Sequence, residues 1–116
     1  MKNTVSLKMN YEFKRLYAKG RSCVTPCVVV YCRKNRGGSN RLGLTVRTKV
    51  GKAVVRNRVR RRLREIYRLN EQRLRSGFDI VIVARVRAVN VSYRELEAAV
   101  MKAFRSLDLL QSGEEQ

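Results

Sequence analysis

The sequence has no histidine, no tryptophan, one proline and only nine acidic residues among its 116. Without histidine, the chain lacks the commonest general base of enzymes. Its carboxylates are few and scattered, and Asp79 suits a turn or a strand edge better than a magnesium site. Gly37-Gly38 is not followed by the lysine and hydroxyl residue of a phosphate-binding P-loop. We therefore expect no catalytic residue and no metal site in this chain itself.

Long apolar runs are absent as well. No stretch of about 18 apolar residues could form a transmembrane helix, and the N-terminus shows no apolar signal-peptide core. These absences predict a cytoplasmic protein. In that reducing compartment we expect Cys23, Cys27 and Cys32 to be free thiols. Their spacing, in a chain without histidine, does not form a zinc site.

Positive charge is what the sequence has in excess. It contains 27 lysines and arginines, for a net charge of +18, and residues 41–75 hold 13 basic against two acidic side chains. Apolar residues make up 44%, which is typical of a folded chain. We expect one domain over 1–107 and a mobile tail over 108–116. Because such a charge repels itself in a compact state, a polyanionic partner is expected, with nucleic acid first and an anionic membrane second.

The densest basic segment also carries a helical pattern. Six arginines lie between positions 56 and 64, yet Val55, Val59, Leu63 and Ile66 recur at the spacing of one helix face. The pattern predicts a helix from 52 or 53 to 75 that buries this face and holds its guanidinium groups at fixed spacing. Guanidinium forks match phosphate geometry. A solvated basic face, with Glu65 pairing to a nearby arginine, is the alternative interpretation.

The remaining elements give the order α-β-β-α-β-α. We predict a helix over 11–19 capped by Asn10, strands over 27–33, 41–47 and 79–85, and a last helix opening at a Ser92–Glu95 capping box. This order is typical of the α+β class, as a single-domain two-layer α/β sandwich with a small mixed sheet. On the 41–47 strand, alternation places Arg41, Gly43, Thr45 and Arg47 on one face.

Aromatic residues offer a second signal. Phe13 and Tyr17 are four residues apart on the first helix, and Tyr31 lies on the first strand. Single-stranded RNA is commonly held by stacking bases on aromatic rings in a basic groove. Core packing is the more usual role of aromatics at this spacing, so the pattern alone leaves both roles open.

Several segments together resemble a known family. Arg41-Leu-Gly-Leu-Thr-Val, Lys49-Val-Gly-Lys-Ala-Val and Arg56-Asn57-Arg58-Val-Arg-Arg resemble the signature of the bacterial ribonuclease P protein subunit, which carries an RNR motif on its long helix. Glu12-Phe13 with Leu16-Tyr17, the Tyr31 strand and the segment Asp79 to Arg85 extend the resemblance over most of the chain.

The resemblance implies a fold, a partner and an activity. The fold is a small α/β sandwich with a left-handed βαβ crossover. The partner is the catalytic RNA of ribonuclease P, at 1:1 stoichiometry. The holoenzyme is an endoribonuclease, a hydrolase that removes the 5′ leader of precursor tRNA in tRNA processing. The RNA is expected to hold the catalytic Mg²⁺, while the protein binds the leader and supports metal binding and folding of the ribonucleoprotein.

The resemblance also implies site residues. Arg56, Asn57, Arg58, Arg60, Arg61 and Arg64 match the family's RNA-contacting motif, Lys49 and Lys52 match its basic approach, and Arg68 joins this set because it projects away from the apolar face. Phe13, Tyr17 and Tyr31 match the aromatics of the leader-binding cleft, to which Thr45 and Arg47 are added. The chain departs from the family at Arg47-Thr48-Lys49, where Ser/Ala-Lys-Lys is common, at Lys52, often asparagine, and at Arg62, often apolar.

Two rival functions suit the same charge. A small ribosomal protein or RNA chaperone would bind RNA without a role in processing, and the RNR signature is what distinguishes it from the ribonuclease P subunit. A basic helix on a membrane surface would need bulky exposed apolar residues opposite its arginines. Val55 and Val59 look more like core residues, so we expect no membrane partner.

Overall fold

The structure, a computed structural model, describes residues 4–111. Its elements are β1 (Thr4–Ser6), α1 (Asn10–Lys19), β2 (Arg21–Val24), β3 (Val28–Lys34), β4 (Asn40–Thr45), α2 (Ala53–Asn70), β5 (Phe78–Ala84) and α3 (Tyr93–Ser106). Three short 3₁₀ turns lie at Thr48–Val50, Glu71–Arg73 and Val86–Val89. The strands form one sheet in the order β1-β4-β5-β3-β2. β4 pairs in parallel with β1 and β5, and the other two pairings are antiparallel, so the predicted α+β fold with a mixed sheet is confirmed.

The central strand β5 is buried on both faces because its apolar run is unbroken. Ile80 and Ile82 belong to the larger core, which α2 and α3 cover. Val81 and Val83 point to the opposite face, where they pack with Leu16 of α1. α1 therefore lies on the second face of the sheet, opposite α2 and α3.

The arginine helix occupies the connection between two parallel neighbours. β4, α2 and β5 form the strand-helix-strand unit for which the resemblance implies a left-handed crossover. Val59, Leu63 and Ile66 are buried, as the periodicity predicted. The helix ends at Asn70 and not at residue 75, since the Asn70 side chain donates to the Ile66 carbonyl and a 3₁₀ turn follows.

Two strands and one cap differ from the sequence predictions. β1 and β2, of three and four residues, were not predicted, because edge strands this short carry no clear alternation. Asn10 lies within α1, and Met9 precedes the helix with its backbone N–H donating to the Glu12 carboxylate at 3.2 Å. Cys27 precedes β3 and belongs to the larger core.

The domain extends further than predicted. Leu109 and Leu110 are fully buried, and the Arg75 backbone N–H donates to the Leu109 carbonyl at 2.8 Å. Leu110 also forms a β-bridge with Leu74. The predicted domain end at 107 is therefore wrong for 108–111, because Leu109 and Leu110 belong to the core and pair with the segment that connects α2 to β5. Residues 112–116 of the predicted tail lie outside the described residues.

Candidate nucleic-acid interface

Arg41 fixes α1 to the sheet. Its Nε and Nη2 donate to the two oxygens of Asp79 at 2.8 and 2.7 Å, and its Nη1 donates to the Glu12 carboxylate. Asn35 donates to the same Asp79 carboxylate at 2.9 Å. Burial raises the pKa of Asp79, but the hydrogen bonds from Arg41 and Asn35 outweigh it and hold that pKa below its ordinary value. Asp79 thus has the strand-edge role that its position suggested.

The predicted cleft residues come together on the α1 face of the sheet. Tyr17 and Tyr31 meet edge to face, with ring centres 4.9 Å apart. The Tyr17 hydroxyl is hydrogen-bonded to Thr45 Oγ1 at 2.9 Å, and the Arg47 guanidinium lies 5.8 Å from the Tyr17 ring centre. Phe13 packs on the same small apolar cluster. The three aromatic rings are half-buried, so one edge packs against the core while another faces solvent.

Two hollows meet at Arg47 and form one open groove, here called the aromatic cleft. The first, of about 420 Å³, runs past Phe13 and Tyr17. The second, of about 520 Å³, runs past Tyr31 and Lys49. The basic side chains lining the two are Lys14, Arg47, Lys49, Arg85 and Arg87. No acidic residue of the described chain lines either hollow, so the cleft is suited to an anionic ligand with flat, stackable groups.

Sequence reasoning missed three cations of this cleft. Lys14 lies on α1 beside Phe13, and Arg85 and Arg87 lie at the end of β5. The Arg85 Nη1 donates to the Thr25 carbonyl at 2.9 Å, which fixes this end of the cleft. The sequence did contain a signal for two of these cations, because Arg85 and Arg87 closely follow the buried apolar strand. Their position beside Tyr31 depends on the β3–β5 pairing, which the sequence did not predict.

The arginines of α2 point to two sides of the helix. Arg60 and Arg64 line a hollow of about 180 Å³ with Phe13, Gly43 and Leu44, here called the edge hollow. On the other side, Arg61 and Arg68 line a hollow of about 420 Å³ with Tyr93 of α3, here called the α2–α3 hollow. Arg64 borders both. One side of the helix therefore adjoins the aromatic cleft and the other faces away from it.

The remaining predicted residues of the arginine helix differ in their partners. Arg56 Nε donates to the Gly51 carbonyl at 3.0 Å, and Asn57 Oδ1 accepts from Arg60 at 3.0 Å. Arg58 and Lys52 are exposed, and Lys52 stands just before the first turn. The side chains of Arg56, Asn57, Arg58 and Lys52 therefore lie at or near the protein surface.

Arg68 is less available than the sequence suggested. Its Nε and Nη2 donate to the two oxygens of Glu65, both at 2.8 Å, and this pairing lowers the pKa of the Glu65 carboxyl. Arg62 Nη1 donates to the Val91 carbonyl at 3.2 Å and so ties α2 to the segment before α3. The intrahelical pair predicted for Glu65 therefore forms with Arg68.

Three carboxylates of residues 4–111 are already engaged by arginines. Glu12 and Asp79 share Arg41, and Glu65 is bonded by Arg68. Over this range no three Cys, Asp or Glu side chains cluster as ligands for a metal ion. Among the same residues, no helix is both long and apolar enough to cross a bilayer.

Comparisons with known proteins agree with the geometry. The family model described as Ribonuclease P matches residues 1–108. The ribonuclease P protein component of Alkaliphilus oremlandii (strain OhILAs) is 39% identical over 113 residues, 97% of this chain and 99% of that one. That of Thermoanaerobacter sp. (strain X514) is 41% identical over 110 residues, covering 95% of each chain.

Solved structures give the same result. The RNase P protein of Staphylococcus aureus superposes with a TM-score of 0.84 at 28% identity, over 91% of this chain and 97% of that one. The protein of Thermotoga maritima gives a TM-score of 0.77 at 32% identity, over 84% and 92%. With a family match over nearly the whole chain, relatives near 40% identity and the shared fold, this chain belongs to the ribonuclease P protein family.

Proposed function

We propose that the chain acts as the protein subunit of ribonuclease P, an endoribonuclease, and binds both the catalytic RNA and the single-stranded 5′ leader of precursor tRNA. The observation that carries the leader-binding role is the aromatic cleft. There, Phe13, Tyr17 and Tyr31 present half-buried rings along a groove whose charged lining is entirely basic. Such a groove holds a single strand by stacking bases and pairing phosphates, with little dependence on base identity.

The two sides of α2 support a division of labour. Arg60 and Arg64 adjoin the cleft through the edge hollow, so they suit the substrate strand where it leaves the aromatic rings. Arg61, with Arg58 near it on the exposed surface, faces away from the cleft and suits the catalytic RNA. Guanidinium groups bind phosphates in a bidentate manner, which favours ordered contacts over diffuse attraction.

The proposal assigns the hydrolytic chemistry to the RNA subunit with its Mg²⁺. This chain supplies no histidine, and the carboxylates named above are bonded by arginines. Its own contribution is to hold the leader and to neutralise phosphates. Concentrated cationic charge lets RNA phosphates approach one another at lower magnesium concentration. A 1:1 complex with the catalytic RNA, located in the cytoplasm, belongs to the same proposal.

Cleavage of labelled precursor tRNA at low magnesium tests this function. The reaction contains a ribonuclease P RNA of a related bacterium with or without the chain. We expect cutting at the mature 5′ end only when the chain is present. If the chain binds both RNAs but leaves cleavage unchanged, also with the cognate RNA, a binding module without a processing role replaces this proposal.

A further inference from the structure

Gly43 of β4 lies directly beneath the Phe13 ring of the cleft. It is buried, and an ideal Cβ built on it would lie 2.5 Å from Phe13 Cε1 and 2.7 Å from Phe13 Cζ. Carbon atoms in contact are normally about 3.5–4.0 Å apart. The Phe13 ring can therefore lie this close to the sheet only because residue 43 has no side chain.

The height of the Phe13 ring matters because the ring stands between two hollows. On one side is the hollow that runs past Tyr17 and Arg47, and on the other is the edge hollow with Arg60 and Arg64. Phe13 lines both. The height of the ring above the sheet therefore sets how much room remains over it between these two hollows.

We propose that Gly43 is a specificity-determining residue for single-stranded RNA: by lacking a side chain, it keeps the passage over Phe13 open between the edge hollow and the aromatic cleft. This inference rests on the proposed leader-binding function. Gly43 touches no RNA in this scheme, and it acts through the position of Phe13.

An added methyl group would move the ring and not the sheet. Gly43 pairs with Val81 of the central strand, and Arg41, two residues earlier, is bonded to Asp79 of the same strand. The added Cβ would also lie 3.3 Å from Val81 Cγ2, a milder contact than those with the Phe13 ring. The Phe13 atoms concerned are the far end of a side chain with two rotatable bonds, which yields more easily than a paired strand. Restoring contact distance requires the ring to rise by about 1 Å, into the passage.

The test compares Gly43→Ala with a matched control, Gly37→Ala. Gly37 lies in the exposed loop between β3 and β4, where an added Cβ meets only the Asn35 side chain, at 3.8 Å. Each variant is first checked for native circular dichroism and thermal unfolding. Binding is then measured, in complex with the catalytic RNA, to precursor tRNA with a long leader and to the same tRNA with a single-nucleotide leader.

We expect Gly43→Ala to weaken binding of the long-leader precursor about tenfold, the size of losing one stacked base. Binding of the single-nucleotide precursor should change less than about twofold, and Gly37→Ala should match the wild type on both. A folded Gly43→Ala variant that keeps the full wild-type preference for the long leader would overturn the role of Gly43 alone. A wild-type chain that shows no such preference would overturn the leader-binding function itself.

A second pair of variants, made in a Phe13→Leu background, distinguishes an effect on the passage from an effect on general packing. Phe13→Leu removes the ring atoms that the added Cβ would meet, so Gly43→Ala should have little further effect on long-leader binding in that background, less than about twofold. An equal tenfold loss with and without the Phe13 ring would show that Gly43 does not act through Phe13, and the inference would fall.

Discussion

At the scale of single residues, the sequence predicts the direction of a side chain better than it predicts the residues that the side chain contacts. Alternation along β4 placed Arg41, Gly43, Thr45 and Arg47 on one face, and the structure has them all on the α1 side. The partners of Arg41 are 29 and 38 residues away, on α1 and β5. No local pattern reveals such pairs, because they depend on how the elements pack.

Asp79→Asn should lower stability and remove a pH dependence. The folded pKa of Asp79 lies below its ordinary value of 3.8, so the carboxylate stabilises the fold above that pH and the contribution is lost as pH falls through the folded pKa. We expect a loss of about 1.5–3 kcal/mol at neutral pH, the range for hydrogen bonds to charged groups. Urea unfolding at pH 7 and near pH 3 measures this loss of stability and its dependence on pH.

The matched control for this change is Asp108→Asn. Asp108 is 65% exposed and meets Arg75 only at 3.4 Å, so its removal should change stability little at either pH. The ionic role of Asp79 is contradicted if the difference in free energy of unfolding between wild type and Asp79→Asn stays constant down to pH 3.

Arg60→Ala and Arg64→Ala should weaken RNA binding with little loss of stability, since both side chains line the edge hollow outside the buried face of α2. Each lost phosphate contact should flatten the log–log salt dependence by about 0.7 for a single strand. Titration of a single-stranded leader RNA at several salt concentrations measures the slope. The control is Arg105→Ala, which removes an exposed arginine of α3. If the salt slopes of Arg60→Ala and Arg64→Ala equal that of the control, the two arginines do not contact phosphates.

At the scale of elements, length decided what could be predicted. α2 and α3 have long periodic patterns, β4 alternates and β5 is a continuous apolar run, whereas β1 and β2 consist of three and four residues at the edges of the sheet. The sequence therefore located the start of the arginine helix and the Tyr31 strand, but neither the end of that helix nor the β3–β5 pairing. That pairing brings Arg85 and Arg87 to the cleft, which is why these two of its five basic lining residues were missed.

Tyr31→Ala should affect precursor tRNA more than mature tRNA. Tyr31 lines the cleft between β3 and α1, and stacking on one ring is worth about 1–3 kcal/mol per base. Binding of both RNAs to the holoenzyme gives the difference. Tyr11→Ala is the control, because Tyr11 is 59% exposed and its ring lies 5.9 Å from Arg15, away from the cleft. Equal losses on both RNAs would assign Tyr31 to the core.

At the scale of the whole molecule, a small core must hold together a chain of net charge +18. Every buried leucine matters in such a chain, since like charges spread over its surface oppose compaction. The leucines at 109 and 110 belong to this core, although the sequence analysis placed them in a mobile tail. Composition alone could not reveal this, because two apolar residues form no periodic pattern.

Leu109→Ala should therefore lower the free energy of unfolding by about 2–5 kcal/mol, the range for emptying a buried leucine site. Leu69→Ala on α2 is the matched control, because Leu69 is 56% exposed. Denaturant unfolding of both variants makes the comparison. A Leu109→Ala variant as stable as the control would restore the domain end at 107.

The contact between Tyr17 and Tyr31 also gives the protein a built-in optical reporter. The chain has no tryptophan, so its ultraviolet emission comes from five tyrosines. Two of them touch each other in the cleft, while Tyr67 on α2 is fully buried and Tyr11 faces solvent. A base stacked on the pair is expected to quench that part of the emission. Occupancy of the cleft can thus be followed by fluorescence, without a dye and without altering the sequence.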